Sequence, residues 1–388
     1  MGYTVRDKAA IVGLGTTEFS KDSGRSEMQL AVESVLAALA DAGIEPGEVD
    51  GLCTYMMDNS SEIDVFRNIG GRNLKVFSRI SYGGGGACAP VQQAMMAVAT
   101  GVAEVVVCYR AMNERSGMRF GQPMVRSSPE SEMMLKALHS LQGLQTAAAM
   151  MALPMRRYMH ETGASAEDFA NYSIVARRHA ATNPNAFFYG KPITLDDYMN
   201  SRMIADPFRL LDCCQESDGA VAVVVTNAER ARGLRQKPVY IRAAAQGAPV
   251  GTLLCTSYYK PDIVPREECQ LVADQLYTMA DLTPGDIDVA IIYDHFGPTV
   301  LPSLEGYGFC EPGEAKDFIK GGNIELGGSL PVNTHGGQLG EAYIHGMNGI
   351  AEGIRQLRGT AVNQVRGAEH VLVTAGTGVP TSGLILGL

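Results

Sequence analysis

The sequence predicts an α/β protein built from one unit written twice, with a helical insertion between the copies. Three observations predict it. A helix, a Pro-Gly turn and a buried strand occur twice with matching residues. The strands are apolar runs without alternation, as expected for a sheet covered on both faces. Each copy then continues through a glycine-rich turn, a small-residue helix and a further strand.

In the first copy the helix carries Gln29-Leu30, Leu36, Leu39 and Ala40-Asp41, and the turn reads Pro46-Gly47-Glu48-Val49-Asp50, leading into a strand over Gly51–Tyr55. In the second, Gln270-Leu271, Leu276, Met279 and Ala280-Asp281 precede Pro284-Gly285-Asp286-Ile287-Asp288 and a strand from Val289 to Tyr293. The glycine turns follow at Gly83–Gly86 and Gly336–Gly340. The helices are expected over Ala87–Thr100 and Ala342–Leu357, and the closing strands over Val102–Tyr109 and His370–Thr374. Val102–Tyr109 is also expected to form a sheet edge. This divides the chain into residues 1–235, including an insertion of about 111–200, and residues 236–388. The insertion is rich in Met, Ala and Arg. It includes a helical pattern over Ser165–His179 with Ser165 as N-cap, and is expected to cover a site between the copies.

Length and composition bound the function. At 388 residues and 46% hydrophobic content, a large core is available. A net charge of −10 gives no basic patch for nucleic acid or a membrane surface. The eight cysteines (Cys53, Cys88, Cys108, Cys213, Cys214, Cys255, Cys269 and Cys310) form no C-x-x-C pair. They read as reduced thiols of a cytoplasmic protein, neither a disulfide frame nor a zinc site. The opening MGYTVRDKAAIVGLG reads as a first strand, not a signal peptide. No continuous apolar run reaches the roughly 18 residues of a membrane span.

The chemistry concentrates in Asn333–Gly346, NTHGGQLGEAYIHG, followed by Leu357-Arg358-Gly359. A paired glycine, a polar loop and a small-residue helix set this stretch at a helix N-terminus, where backbone N–H groups favour negative charge. The stretch resembles the carboxy-terminal signature of the thiolase superfamily. The segment Ile204–Arg232, IADPFRLLDCCQESDGAVAVVVTNAERAR, is similar to that of sterol-carrier-protein type thiolases. The resemblance implies a five-layer αβαβα thiolase fold. It also implies a cysteine nucleophile at a helix N-terminus, a histidine base, a further acid/base and N–H donors for an oxyanion.

This chain departs from that set at each catalytic position. The family cysteine falls near Gly84 or Gly85. Cys88 lies three or four residues later, and is either a displaced nucleophile or a packed helix cysteine. Tyr293, in Tyr293-Asp294-His295-Phe296, stands where the family has one histidine, and Tyr343 where it has the other. The late loop Thr374-Ala375-Gly376-Thr377-Gly378 keeps its glycines but lacks the family's cysteine or histidine. His295, His335 and His345 flank the site as supporting groups, with Asn333. Glu341 and His345 stand at i, i+4, an isolated pair that does not make a metal site.

Loss of the cysteine closes the Claisen route. A retro-aldol cleavage needs only a base for the β-hydroxyl, donors for the thioester enolate and an acid for its carbon. A phenol, with a pKa near ~10, is closer than a carboxylate to both proton-transfer partners. The pattern resembles the lipid-transfer-protein-like steroid side-chain aldolases of this superfamily. That resemblance implies cleavage of a 17-hydroxy-3-oxo-pregnene-20-carboxyl-CoA type thioester to a 17-keto steroid and propionyl-CoA, with Tyr293 and Tyr343 as the acid/base pair. It implies no cofactor beyond the CoA of the substrate. It further implies a homodimer core with a small OB-fold partner subunit, associated with a side-chain hydratase, in an α2β2 assembly. Met133, Met134, Met150, Met151 and Met155 suit either a sterol pocket or a helix core. Arg115, Arg119, Arg156 and Arg157 suit either CoA phosphates or a solvated face. A thiolase using Cys88 and a non-catalytic lipid- or acyl-CoA-binding protein are the alternatives.

Overall fold

A computed structural model describes residues 5–117, 119–121, 137–251, 260–377 and 381–388. Met133, Met134, Cys255 and Gly378 lie outside the described residues. Strand β1 (Ala9–Thr16) is covered by helix α1 (Glu27–Ala42). The Ser26 side chain caps α1 by accepting from Gln29 N, and Gly43 ends it in the left-handed conformation. Leu30, Val35, Ala38 and Leu39 form the buried stripe. The helix lies so close to β1 that a Cβ on Gly15 would stand 2.1 Å from the Ser34 carbonyl oxygen.

The repeat is visible element by element. A 3-10 turn over Pro46–Glu48 leads into β2 (Gly51–Tyr55), and one over Pro284–Asp286 leads into the later strand β9 (Val289–Ile291). Helix α2 (Glu62–Asn68), β3 (Val76–Ile80), α3 (Ala89–Ala99) and β4 (Val105–Asn113) continue the first copy. A small hairpin of β5 (Met203–Ala205) and β6 (Phe208–Arg209) precedes β7 (Asp218–Asn227). The second copy contains β8 (Val239–Gly247), β9, β10 (His370–Thr374) and β11 (Thr381–Gly387).

The sheet order is β3-β2-β4-β7-β1-β8-β11-β10-β9. Read outward from the centre, each copy repeats one pattern. β1 and β8 are antiparallel to β7 and β11, which are antiparallel to β4 and β10, which run parallel to β2 and β9. Among the described residues, the two half-sheets are joined strand to strand through two residue pairs, Ala10–Tyr240 and Ile11–Val239. Three apolar clusters fill the layers. One lies under α1, one under helix Glu267–Ala280 and the insertion helices, and a central one holds α3 and helix Met347–Arg358 between the two half-sheets. This is the αβαβα layering, with a short hydrogen-bonded seam joining its two sheets.

Three expectations are corrected. β4 is interior, flanked by β2 and β7, so Val102–Tyr109 supplies no edge; the edge strands are β3 and β9, and on β3 Phe77 is 62% exposed. Apolar character marks a buried strand but does not give its neighbours. β4 also extends to Asn113, so the insertion starts beyond residue 111. The helix expected from Ala342 begins only at Met347, because Gly346, at φ 100, sets its N-cap. The insertion helix spans Ala166–Thr182, with Ser165 as its cap. Among the described residues no helix is long and apolar enough to cross a membrane.

Candidate active site

Tyr293 follows β9 directly, at the end of a strand buried on both faces. Tyr343 lies four residues before helix Met347–Arg358, in the loop that leaves a short helix over Gly337–Gly340. Backbone hydrogen bonds hold both: Tyr293 N donates to Thr374 Oγ1 at 2.9 Å, and Tyr343 N donates to Ser217 Oγ at 3.2 Å. The two phenol oxygens are 3.0 Å apart and the rings cross edge to face. Both residues are buried, in a cluster with Met112, against which Phe120 and Cys214 pack.

The glycine run explains how two phenols fit. A Cβ on Gly84 would stand 2.2 Å from Tyr293 Oη. The hydroxyl therefore occupies the space a side chain at Gly84 would need. Gly85 is buried in the same 3-10 turn, and its carbonyl accepts from Ser382 Oγ at 2.7 Å. Gly376 closes the other side, donating its N–H to the Gly84 carbonyl at 3.0 Å. That N–H is thereby spent on the fold rather than aimed at a substrate.

Cys88 is the N-cap residue of α3, 1% exposed, with Sγ donating to the Val373 carbonyl at 3.7 Å. Burial pushes its thiol well above the ordinary range. A nucleophilic thiolate needs the opposite environment, electropositive and open.

Burial raises both phenols above their usual value. Either hydroxyl can be the donor in the contact between them. Glu114, buried nearby with its carboxyl raised by burial and by Glu216, opposes ionisation of either phenol when it is itself ionised.

The histidines divide. His295 packs its ring 5.2 Å from Tyr293, and burial lowers it to about 4. His335 is lowered to about 3 by burial and sits 3.9 Å from Glu341. His345 packs 5.5 Å from the Tyr343 ring, and its Nδ1 faces Arg110. Glu341 turns instead toward Asn183, Asn348 and Arg355, so the i, i+4 pair shares no site. No group of three or more His, Cys, Asp or Glu among the described residues is arranged to hold a metal.

Asn333 is wholly buried and serves the backbone, exchanging hydrogen bonds with Ile292 N and O at 2.9 and 2.8 Å. With Tyr293, Asp294, His335 and Gln338 it lines a small cavity. Met151 and Met155 pack into the outer core of the second copy, away from the tyrosines, and Met150 is half-buried on the same helix. Arg119 pairs with Glu216, Arg156 with Asp206 and Arg157 with Glu161; Arg115 is exposed. Sequence reasoning missed Tyr172, Arg110 and Ser217. Tyr172 Oη donates to Asp294 at 2.8 Å and orients the segment after Tyr293. Each of the three lies more than a hundred residues from the group it holds (Asp294, His345 and Tyr343 respectively), and no local pattern marks them.

Residues 256–387 match the family described as thiolase C-terminal domain-like. The chain is 62% identical to the 17-hydroxy-3-oxo-4-pregnene-20-carboxyl-CoA lyase of Mycobacterium tuberculosis, over 98% of this chain and 99% of that protein. It is 61% identical to the steroid side-chain-cleaving aldolase of Thermomonospora curvata, over 98% and 97%. The solved Ltp2-ChsH2(DUF35) aldolase superposes with a TM-score of 0.95 at 59% identity, covering 99% of each chain. Human mitochondrial 3-ketoacyl-CoA thiolase superposes at 0.72 with 15% identity, a likeness of fold alone.

Proposed function

The chain belongs to the thiolase superfamily and is an aldolase of its steroid side-chain-cleaving family, and from that premise we propose that it cleaves a 17-hydroxy-3-oxo-pregnene-20-carboxyl-CoA type thioester through Tyr293 and Tyr343. The observation that carries the mechanism is the 3.0 Å contact of the two phenols, with one hydroxyl filling the space beside Gly84. No thiol is needed.

Both phenols start neutral and act as a relay. As the bond between the carbinol carbon and the α-carbon of the thioester breaks, Tyr293 takes the carbinol proton and hands its own to Tyr343 across their contact, and Tyr343 gives its proton to the α-carbon. The electron pair of the broken bond forms the new carbon–hydrogen bond by way of the thioester enolate, leaving a 17-keto steroid and propionyl-CoA. Every proton is returned, and no water, free CoA or redox partner enters.

The chain works in the cytoplasm as a homodimer joined at the β3 edge, with a small OB-fold subunit on each protomer. Of this, association with a second subunit is supported by the solved neighbour, whose name pairs Ltp2 with ChsH2(DUF35). CoA enters only as part of the substrate. The test is to supply the complex with β-hydroxyacyl-CoA and β-ketoacyl-CoA forms of the steroid. Ketone and propionyl-CoA from the hydroxy form, without added CoA, are expected. A requirement for CoA would return the chain to thiolase chemistry, and tight binding without turnover would make it a lipid-binding member of the fold.

A further inference from the structure

Glu114 extends the ladder of β4 by one residue, its N–H donating to the Ser217 carbonyl at 3.3 Å. Side chains two apart on an extended strand share a face. Glu114 therefore stands on the side of Met112, which packs against both phenols. The neighbouring segment closes the arrangement. Ser217 Oγ accepts from Tyr343 N at 3.2 Å, and Glu216 forms a parallel bridge with Tyr343. Phe120, beyond the turn that follows Glu114, meets the Tyr343 ring edge to face, with centroids 6.0 Å apart. The carboxyl belongs to the wall around the two tyrosines.

Two features set this carboxyl apart. It is 3% exposed, and its Oε2 makes no hydrogen bond among the described residues. The cations nearby are committed elsewhere. Lys21 Nζ donates to Gln215 Oε1 at 2.9 Å and to the Glu216 carbonyl at 2.6 Å, and Arg119 pairs with the Glu216 carboxylate at 2.6 Å. An ionised oxygen left without a donor at this depth costs far more than a hydroxyl left without an acceptor. Burial, and then Glu216, push the carboxyl the same way, against the backbone N–H groups of Phe120 and Ser217 and the charge of Lys21. Glu114 is thus a carboxylic acid with a hydroxyl to give.

Cleavage calls for such a donor, because it places negative charge on the thioester oxygen. The Gly376 N–H is bound to the Gly84 carbonyl, and the two phenols are engaged with each other and with the moving proton. We propose that Glu114 is a further catalytic residue, whose carboxyl donates a hydrogen bond from Oε2 to the thioester oxygen and strengthens it as enolate charge develops. The identity of that oxygen rests on the aldolase reading, whereas the state of the carboxyl does not. The acid keeps its proton throughout, so the relay between the phenols stays balanced. A carboxylate in the same place would repel the enolate.

The experiment has two arms on the full chain in complex with its partner. In the first, kcat and KM are measured beside thermal melts for Glu114→Gln, which keeps an N–H donor, and Glu114→Met, which keeps the bulk alone. Glu114→Met is expected to lose ~100-fold or more in kcat with a much smaller change in KM, and Glu114→Gln to keep most of the wild-type rate. Equal losses in the two variants, or full activity in Glu114→Met, overturn the donor role. A Glu114→Gln protein that fails to fold would show that the position requires an anion, and overturns it too. In the second arm, infrared spectra of wild type and Glu114→Gln are subtracted at neutral pH, in water and in deuterated water. The carbonyl stretch of a carboxylic acid is expected from the wild type, moving when propionyl-CoA binds. Carboxylate stretches in its place, or a band that propionyl-CoA leaves unmoved, overturn the proposal whether or not Glu114→Met folds. A wild type without turnover would instead sink the aldolase reading and leave the acid to be judged by the infrared band.

Discussion

Tyr293 Oη lies 2.2 Å from where a Cβ on Gly84 would be. The two cannot coexist, so the phenol and the glycine form one substitution made at two places. Gly84→Ala should displace the Tyr293 ring, break its contact with Tyr343 and abolish cleavage while the protein still folds. Turnover assays beside a thermal melt check this. Full activity in a folded Gly84→Ala protein would mean that the phenol is not needed where it stands.

Tyr293→Phe and Tyr343→Phe each remove one hydroxyl and leave the rings packed. Each is expected to cost about 100- to 10,000-fold in kcat, the usual worth of a positioned acid or base. The double variant should cost little more than either single one, because the pair acts as a unit. Additive losses measured in a double-mutant cycle would argue against transfer between them.

Cys88→Ala should keep most of the activity. Removing one buried heavy atom costs about 1 kcal/mol of stability, seen as a lowered denaturation midpoint. In the native protein Cys88 should resist alkylation, since its sulfur is covered and its thiol held protonated. A covalent acyl-enzyme at Cys88, detected by mass spectrometry, would restore the thiolase mechanism.

Asp294 gives a pH test. Burial raises its carboxyl from 3.8 to about 6 in the folded protein. The folded state then holds more proton than the unfolded chain between about pH 4 and pH 6. Its contribution to stability is present below that window and is lost as pH rises through it. Asp294→Asn cannot titrate. Its stability relative to wild type should improve from pH 4 to pH 6, by at most on the order of 3 kcal/mol, and stay level above. Denaturant midpoints at three pH values measure it, and a constant gap would show that the carboxyl keeps an ordinary pKa.

Phe77 is the large exposed apolar group of the β3 edge. Phe77→Asp should shift the protein toward monomer in sedimentation or light scattering and leave the protomer folded. An unchanged oligomer would place the interface elsewhere.

The duplication was legible because its signals are local: matched Pro-Gly turns, capped helices and apolar runs. Tyr293 and Tyr343 were legible as substitutions within known motifs. The strand neighbours of β4 were not, since an apolar run does not say which strands flank it. Arg119 and Arg156 looked free in sequence because their carboxylate partners lie 97 and 50 residues away, whereas the partner of Arg157, Glu161, stands one turn along the same helix and was legible. Arg110 and His345 are separated by 235 residues, and nothing near either announces the other. Met151 read equally well as pocket or core, and it is buried on its helix.

Both phenols come from the second copy, whereas the glycine turn that makes room for them, and Ser217 and Arg110, come from the first. The seam of two residue pairs between β1 and β8 is thus the hinge line of a divided labour. One ancestral unit keeps the reactive hydroxyls and the other has become their mould. A lesion confined to the first copy can silence chemistry whose reactive groups all lie in the second.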